Sequence, residues 1–210
     1  MTQGRREHRA VPCRGHLGER SVLEVAQLGI EGVILVVPEK FGDDRGFFSE
    51  VFNHQRFQEA GIRGNFVQDN HSMSAEAGTV RGLHFQIPPH PVAKLVRVLR
   101  GVVWDVVVDL RHGSETYGQQ VGVELSSSNW AQLYVPAGLA HGFCTLEPNT
   151  EVAYKVTDYW YPMLDRGLAW DDPALGIEWP VTMEDAVLSD KDKKQPRLKD
   201  LPRHFEWTPV

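Results

Sequence analysis

Val102-Val-Trp-Asp-Val-Val-Val-Asp-Leu110 is the most strand-like run in the sequence. Valine and tryptophan favour β-strands, and successive side chains of a strand point to opposite faces. The run therefore predicts one face on which valines alternate with Asp105 and Asp109, and an entirely apolar opposite face that begins at Trp104.

Similar short runs flank this one, and turns rich in glycine and proline separate them at intervals of about 8–12 residues. Strands are predicted in residues 33–37, 47–52, 66–70, 92–99, 120–125, 132–135 and 151–157. Asn53 to Ala60 is predicted to be a short helix, because Asn53 can cap it and Gly61 suits its C-terminal end. Many short strands indicate an all-β sandwich or barrel, and a double-sheet jelly roll with a few short helices fits best.

The composition excludes some classes of protein. The chain has 210 residues, of which 41% are hydrophobic, and its formal net charge is −6. A protein that binds nucleic acid through an overall positive charge is therefore excluded. No run approaches the roughly 18 apolar residues that suggest a membrane-spanning helix, and the N-terminus lacks an apolar signal segment. We expect a cytoplasmic protein with no nucleic-acid and no membrane partner.

Three parts can be distinguished along the chain. Residues 1–30 are predicted to be a partly flexible N-terminal extension, residues 31–180 the jelly-roll domain, and residues 181–210 a polar C-terminal segment that packs on the roll. The first twenty residues contain five arginines and two glutamates. Such a basic arm suits contact with nucleic acid or another anionic surface, but an extension with no binding role is the simpler interpretation.

His84 is the first candidate for chemistry, since imidazole exchanges protons near neutral pH. It lies in a predicted strand, where strict alternation places it on one face with Gly82 and Gln86. Arg81 and Leu83 are then on the opposite face. A core histidine and a histidine that faces a ligand are both compatible with this pattern.

Other motifs limit the chemistry. No His-x-His or Cys-x-x-Cys motif occurs, although His84, His141 and a carboxylate could still meet in space. Glycine-rich phosphate loops and the Gly-x-Ser-x-Gly nucleophile motif are also absent from the sequence, so we predict no metal and no cofactor. The aromatic run from Tyr154 to Tyr161 either closes a core or supplies a phenolic proton donor and a ring for stacking.

Nine segments taken in order carry a specific resemblance. They are residues 41–50, 67–71, 81–86, 94–97, 105–109, 136–143, 154–158, 172–180 and 188–192, and they include Arg81-Gly-Leu-His-Phe-Gln86. Together they resemble the dTDP-4-dehydrorhamnose 3,5-epimerase family from about residue 33 to residue 192.

This resemblance implies a cupin-like jelly-roll homodimer that needs no cofactor. Enzymes of the family invert carbons 3 and 5 of a dTDP-4-keto-6-deoxyhexose, on either side of the 4-keto group. By similarity His84 is the general base and Asp192 orients it. Tyr154 is then the acid on the opposite face, and Lys94 lies near the keto oxygen. The positions implied to contact the substrate are Arg45, Phe48, Glu50, Gln68, Asn70, Arg81, His141, Trp160, Asp165 and Lys191.

One position departs from the family pattern, and several functions stay open. Trp160 stands where the family commonly has a tyrosine that stacks on thymine, and tryptophan stacks at least as well but lacks the hydroxyl group. The main prediction is a 3,5-epimerase of dTDP-L-rhamnose or related deoxysugar biosynthesis. The alternatives are a mono-epimerase for an antibiotic or surface deoxysugar, a non-catalytic roll that binds a sugar nucleotide, and a metal-dependent roll enzyme.

Overall fold

Two antiparallel sheets packed face to face form most of the structure, a computed structural model that describes residues 23–208. The strands are β1 (Leu23–Gln27), β2 (Ile34–Pro38), β3 (Phe41–Asp43), β4 (Gly46–Phe48), β5 (Gln68–Ser74), β6 (Val80–Gln86), β7 (Lys94–Arg100), β8 (Val102–Asp109), β9 (Arg111–His112), β10 (Gln120–Ser126), β11 (Gln132–Val135), β12 (Leu139–Thr145), β13 (Thr150–Val156), β14 (Asp165–Gly167) and β15 (Phe205–Glu206). The helices of these residues are α1 (His54–Glu59) and three 3-10 helices (Pro173–Leu175, Asp192–Lys194 and Leu198–Asp200).

The strand order is that of a double-sheet roll. One sheet has six strands in the order β1-β2-β11-β7-β13-β5, and the other has five in the order β10-β8-β12-β6-β14. Most neighbours in space are distant in sequence, which is typical of a roll. The hairpin β3-β4 and the parallel pair β9-β15 lie outside the two sheets. The predicted all-β, cupin-like jelly roll is confirmed.

Strand β8 shows how alternation builds the core. Val103 and Val107 point between the two sheets, whereas Val106 and Val108 join a second core on the outer face of the five-stranded sheet. The two aspartates of β8 are 0% exposed. The predicted alternation is therefore confirmed, and each buried valine side chain contributes about 1.5–3 kcal/mol through the hydrophobic effect.

The segment after β2 differs in part from its prediction. The helix is confirmed, and the side chain of Asn53 accepts a hydrogen bond from the backbone N–H of Arg56. The strand predicted over residues 47–52 is wrong beyond Phe48, where β4 ends. Ser49 instead accepts a hydrogen bond from the indole N–H of Trp130 at 3.1 Å. The phenylalanines of the β3-β4 hairpin are all exposed, so no buried face continues the strand beyond Phe48.

The strand that carries His84 contains a β-bulge. In the pairing of β6 with β12, Arg81 is opposite Phe143 and His84 is opposite His141, so β6 has one more residue between these pairs. A bulge of this kind shifts the alternation by one residue. Arg81 therefore shares the inward face with His84, and the prediction that it lies with Leu83 on the opposite face is wrong.

Two glycines permit this bulge. A Cβ atom on Gly82 would lie 2.5 Å from the Cα atom of Gly142, which is closer than two carbons can pack. Gly82 also has a φ of 133°, a conformation that residues with a side chain rarely adopt. The backbones of β6 and β12 thus approach at a point where neither strand tolerates a larger residue.

Parts of the chain beyond residue 180 pack on the outer face of the five-stranded sheet. Leu188 contacts the cluster of Val80, Cys144 and Trp170, and Phe205 belongs to the outer core. No helix within residues 23–208 is long and apolar enough to cross a membrane. Most of the predicted N-terminal extension, including the basic arm, lies outside the described residues, and the cytoplasmic location stays a prediction.

Candidate active site

A histidine and an aspartate form a close pair at the inward face of β6. His84 Nε2 lies 2.5 Å from Oδ1 of Asp192, which is on the second 3-10 helix and is 4% exposed. An ionised carboxylate only accepts hydrogen bonds, so Nε2 carries the proton and Nδ1 is left as the basic nitrogen. The carboxylate thereby fixes the tautomer of His84.

Asp192 is ionised despite its burial. Burial opposes the charge, but hydrogen bonds from His84 and Ser189, together with the charges of His84 and Lys191, bring the pKa of Asp192 below its ordinary value. The backbone N–H of Asp192 also donates to the hydroxyl of Ser189 at 3.1 Å. The dyad is thus a fixed imidazole with an anion behind it, suited to take up a proton.

His84 borders a cavity of about 330 Å³ between the sheets. Tyr154 borders the same cavity from β13 of the six-stranded sheet, so the imidazole and the phenol approach it from opposite sheets. Burial is the main cause that raises the pKa of Tyr154, and the charge of Asp165 adds to it while Arg81 opposes it. The phenol is therefore protonated at neutral pH and can donate a proton.

Lys94 supplies a positive charge at this cavity. Its Nζ donates to the carbonyl oxygen of His84 at 3.1 Å. The pKa of Lys94 is lowered to about 8, mainly by burial and to a smaller extent by nearby Lys191, while Asp105 and Asp165 oppose the shift. The ammonium can thus stabilise negative charge that develops on an oxygen atom in the cavity.

A second histidine–aspartate pair lies beside the first. His141 faces His84 across the β12–β6 pairing, and its Nε2 lies 2.9 Å from both carboxylate oxygens of Asp105. His141 is 6% exposed and does not border the cavity. Burial is the main cause that lowers the pKa of His141, and the charges of Lys94 and His84 add to it, while Asp105 opposes the shift. The sequence predicted His141 as a substrate contact, but in this structure it is a buried neighbour of the dyad.

Four predicted contact residues form the rim of the cavity: Gln68, Asn70, Trp160 and Asp165. Gln68 donates to the side-chain oxygen of Asn70 at 2.9 Å and accepts from the backbone N–H of Trp160 at 3.3 Å. Lys191 pairs with Asp165 at 2.5 Å and so joins this rim from the C-terminal segment. Arg81 donates to Ser74 of β5, which places a guanidinium near Tyr154.

The remaining three predicted contacts do not reach the cavity of their own chain. Arg45 and Phe48 belong to the β3-β4 hairpin region, where Arg45 pairs with Asp43 and Phe48 is 70% exposed. Glu50 pairs with Arg56 of α1 at 2.7 Å. All three lie outside the cavity lining.

Sequence reasoning did not assign two polar residues of this region. Asp105 is the buried partner of His141, and Gln86 borders the cavity with 5% exposure. Both are polar residues at inward positions of a strand. Burying such a side chain costs free energy unless it is hydrogen-bonded, so this pattern in the sequence could have pointed to them. Among the described residues, no three His, Cys, Asp or Glu side chains converge as metal ligands would.

The arrangement can move protons on both sides of one carbon atom. One cavity is bordered by the imidazole of His84 with its fixed tautomer, by the protonated phenol of Tyr154 on the opposite sheet, and by the ammonium group of Lys94. These groups allow a C–H bond next to a carbonyl to be broken on one face and formed again on the other.

Comparison with known proteins agrees with this chemistry. The family model described as dTDP-4-dehydrorhamnose 3,5-epimerase matches residues 27–200. The dTDP-4-dehydrorhamnose 3,5-epimerase of Sinorhizobium fredii is 54% identical over 183 residues, which cover 87% of this chain and 93% of that protein. The dTDP-4-dehydrorhamnose 3-epimerase of Streptomyces niveus is 40% identical over 159 residues, which cover 75% of this chain and 76% of that protein.

A solved structure extends the similarity to the whole roll. The crystal structure of dTDP-6-deoxy-D-glucose-3,5-epimerase from Legionella pneumophila, in complex with dTDP-4-keto-L-rhamnose, matches with a TM-score of 0.85 and 40% identity. The match covers 89% of this chain and 100% of that chain. With its roll, its cavity and these relatives, the chain belongs to the dTDP-4-dehydrorhamnose 3,5-epimerase family.

Proposed function

We propose that this protein inverts carbons 3 and 5 of dTDP-4-keto-6-deoxyglucose, in the biosynthesis of dTDP-L-rhamnose or a related deoxysugar. The observation that carries the proposal is that the His84–Asp192 dyad and the phenol of Tyr154 border one cavity from opposite sheets. Membership of the family supplies the substrate class.

The chemistry starts at the 4-keto group, which lies between the two carbons. A C–H bond next to a carbonyl is acidic because the resulting enolate spreads its charge onto oxygen. His84 removes this proton, and Lys94 stabilises the enolate oxygen. Tyr154 then protonates the carbon from the other face, which inverts it. Solvent takes the proton from His84 and restores the one on Tyr154, so each cycle leaves the enzyme unchanged.

The rest of the cavity binds the nucleotide and the diphosphate. Trp160 is suited to stack on the thymine ring, and the amides of Gln68 and Asn70 offer polar contacts beside it. Arg81 and Lys191 supply cations for the diphosphate. Because the whole chain carries a charge of −6, the attraction for this anion has to come from such local cations.

Deuterium exchange tests the proposal. The protein is incubated with dTDP-4-keto-6-deoxyglucose in D₂O, and carbons 3 and 5 are followed by NMR. Deuterium at both carbons, with formation of the L-configured product, is expected. Deuterium at neither carbon would contradict an epimerase and leave a non-catalytic sugar-nucleotide-binding roll.

A mono-epimerase is the second candidate, because the Streptomyces niveus relative is named a 3-epimerase. The same experiment separates the two, since a mono-epimerase incorporates deuterium at a single carbon. The described active-site groups are common to both reactions, so the choice depends on how the sugar is held.

We predict that kcat/KM falls as the pH rises through about 8. Lys94 is protonated below its pKa of about 8 and neutral above it, so the cation beside the keto oxygen is lost on the alkaline side. The profile of kcat/KM against pH reports the free enzyme. Arginine stays protonated throughout this pH range. The Lys94→Arg variant should therefore not show the decline, whatever level of activity it retains. An unchanged decline in Lys94→Arg would assign it to another group.

We also propose a homodimer in which the β3-β4 hairpin of one protomer reaches the cavity of its partner. Three residues that the family resemblance assigns to substrate contact, Arg45, Phe48 and Glu50, lie outside the cavity of their own chain. Phe41 and Phe47 of the same hairpin are 47% and 57% exposed. An exposed apolar hairpin that carries binding residues is suited to insert into a second copy.

Mixed dimers test this arrangement. His84→Asn and Arg45→Ala proteins are expected to be weakly active alone. When equal amounts of the two proteins are unfolded and refolded together, about half of the dimers are mixed. Each mixed dimer has one intact cavity out of two, so about a quarter of the wild-type activity should return. No recovery, with dimers present by light scattering, would show that Arg45 serves its own protomer.

A further inference from the structure

The rim of the cavity beside Trp160 is a loop without regular structure. It comprises residues 157–164, between β13 and β14. Trp160 is 61% exposed, so packing does little to fix its ring. Its position depends on hydrogen bonds to the backbone, namely the 3.3 Å bond from its own N–H to Gln68 and the bonds that hold the residues on either side of it.

Gln86 holds both residues that flank Trp160. Its amide nitrogen donates to the carbonyl oxygen of Tyr159 at 3.0 Å, and its amide oxygen accepts from the backbone N–H of Tyr161 at 2.8 Å. The same nitrogen donates to the carbonyl oxygen of His90 at 2.5 Å. Gln86 is the last residue of β6, two positions after His84. The strand that carries the dyad therefore also holds the loop.

His90 makes a second attachment to this loop. Its Nδ1 lies 2.9 Å from Oδ2 of Asp158, and its ring stacks on Tyr161 with 4.3 Å between the ring centres. The hydrogen bond from His90 is the main cause that lowers the pKa of Asp158, which also accepts from the N–H of Tyr159. Gln86 and His90 thus form what we call the rim clamp.

We propose that Gln86, supported by His90, is a positioning residue that fixes Trp160 for the nucleotide end of the substrate. This inference rests on the proposed function, since it assigns the rim loop to nucleotide binding. Without the rim clamp, the loop adopts several arrangements. The apparent affinity then falls in proportion to the fraction of molecules in which Trp160 is in place. His84 and Tyr154 do the chemistry, so turnover of bound substrate is largely kept.

Two substitutions test the rim clamp. Gln86→Met keeps the length of the side chain but removes all three hydrogen bonds, and His90→Ala removes the hydrogen bond to Asp158 and the stacking on Tyr161 without altering β6. We expect the dissociation constant for dTDP, measured by calorimetry, to rise about 10-fold in Gln86→Met and about 3-fold in His90→Ala. KM should rise in parallel, while kcat stays within about twofold.

Two further readouts separate positioning from general damage. Amide hydrogen exchange in residues 158–163 should accelerate in Gln86→Met, because the N–H of Tyr161 loses its acceptor.

Thr150→Val is the matched control, since it removes a buried hydrogen bond to Glu147 at the start of β13, away from the cavity lining. It should leave dTDP affinity unchanged. The double variant of Gln86 and His90 should be less than additive, since both residues hold one loop.

The outcomes distinguish this inference from the proposed function. Unchanged dTDP affinity in Gln86→Met, with normal deuterium exchange in the wild type, would overturn the inference alone. A fall in kcat at unchanged affinity would also overturn it, because Gln86 would then act on His84. If the wild type binds dTDP but exchanges no deuterium, the proposed function fails, and dTDP affinity still tests the rim clamp.

Discussion

Replacing His84 by asparagine is expected to lower epimerisation about 10³-fold and to abolish deuterium exchange at carbons 3 and 5 together. Positioned acid–base groups contribute about 10²–10⁴-fold, and without the imidazole no other group of the cavity is placed to take the first proton. Asparagine occupies part of the space of the imidazole but does not reach the position of Nε2, so the contact with Asp192 is lost together with the base. Rates of exchange in D₂O, followed by NMR, measure the loss directly.

The matched control is His112→Gln. His112 packs against the ring of Tyr117 and does not border the cavity. This variant should exchange deuterium at the wild-type rate. Both variants are compared at the same protein concentration. If His84→Asn still exchanges deuterium there, His84 is not the base and another residue takes the proton. Unchanged dTDP binding by His84→Asn shows that the cavity is intact.

Replacing Tyr154 by phenylalanine should separate exchange from inversion. His84 can still remove the proton and return a deuteron to the same face, so deuterium appears with the original configuration. Delivery to the opposite face loses its acid, and formation of the inverted product should fall about 10²–10⁴-fold. NMR of the sugar protons distinguishes the two outcomes, because the coupling constants report the configuration at each carbon.

Tyr134→Phe is the control for this result. Tyr134 is also a buried phenol with a raised pKa, but its hydroxyl donates to the carbonyl oxygen of Arg63 on the outer side of the six-stranded sheet. Loss of this hydroxyl and its hydrogen bond should lower the free energy of unfolding by about 1 kcal/mol and leave epimerisation unchanged. Inverted product formed by Tyr154→Phe at the wild-type rate would exclude Tyr154 as the acid.

The features of the fold that could be predicted from the sequence are mainly those set by residues close together in the chain. The alternation of β8 follows from the chain geometry, and the cap on α1 needs only Asn53 and the residues that follow it. The double-sheet roll follows from the spacing of short strands and turns. The alternation and the cap depend on contacts within a few residues, which periodicity reports directly, whereas the roll itself pairs strands that are distant in sequence.

Features that depend on two distant segments could not be predicted. The bulge of β6 exists because Gly82 meets Gly142 on a neighbouring strand, and strict alternation therefore placed Arg81 on the wrong face. The hydrogen bonds of Gln86 reach His90 and Tyr159, whose positions depend on two loops. The ordered family motifs singled out His84 and Asp192, but their 2.5 Å contact depends on how a segment 108 residues further along the chain docks beside β6.

The contact between His84 and Asp192 joins parts of the chain that are 108 residues apart. A ribosome releases the N-terminal part first, and that part begins to fold during synthesis. Both sheets of the roll, which end at β14, therefore leave the ribosome before residue 192 does. A nascent chain can therefore enclose the cavity while it is still catalytically silent. Activity begins only when the segment that carries Asp192 docks, so the dyad links the onset of catalysis to translation beyond residue 192.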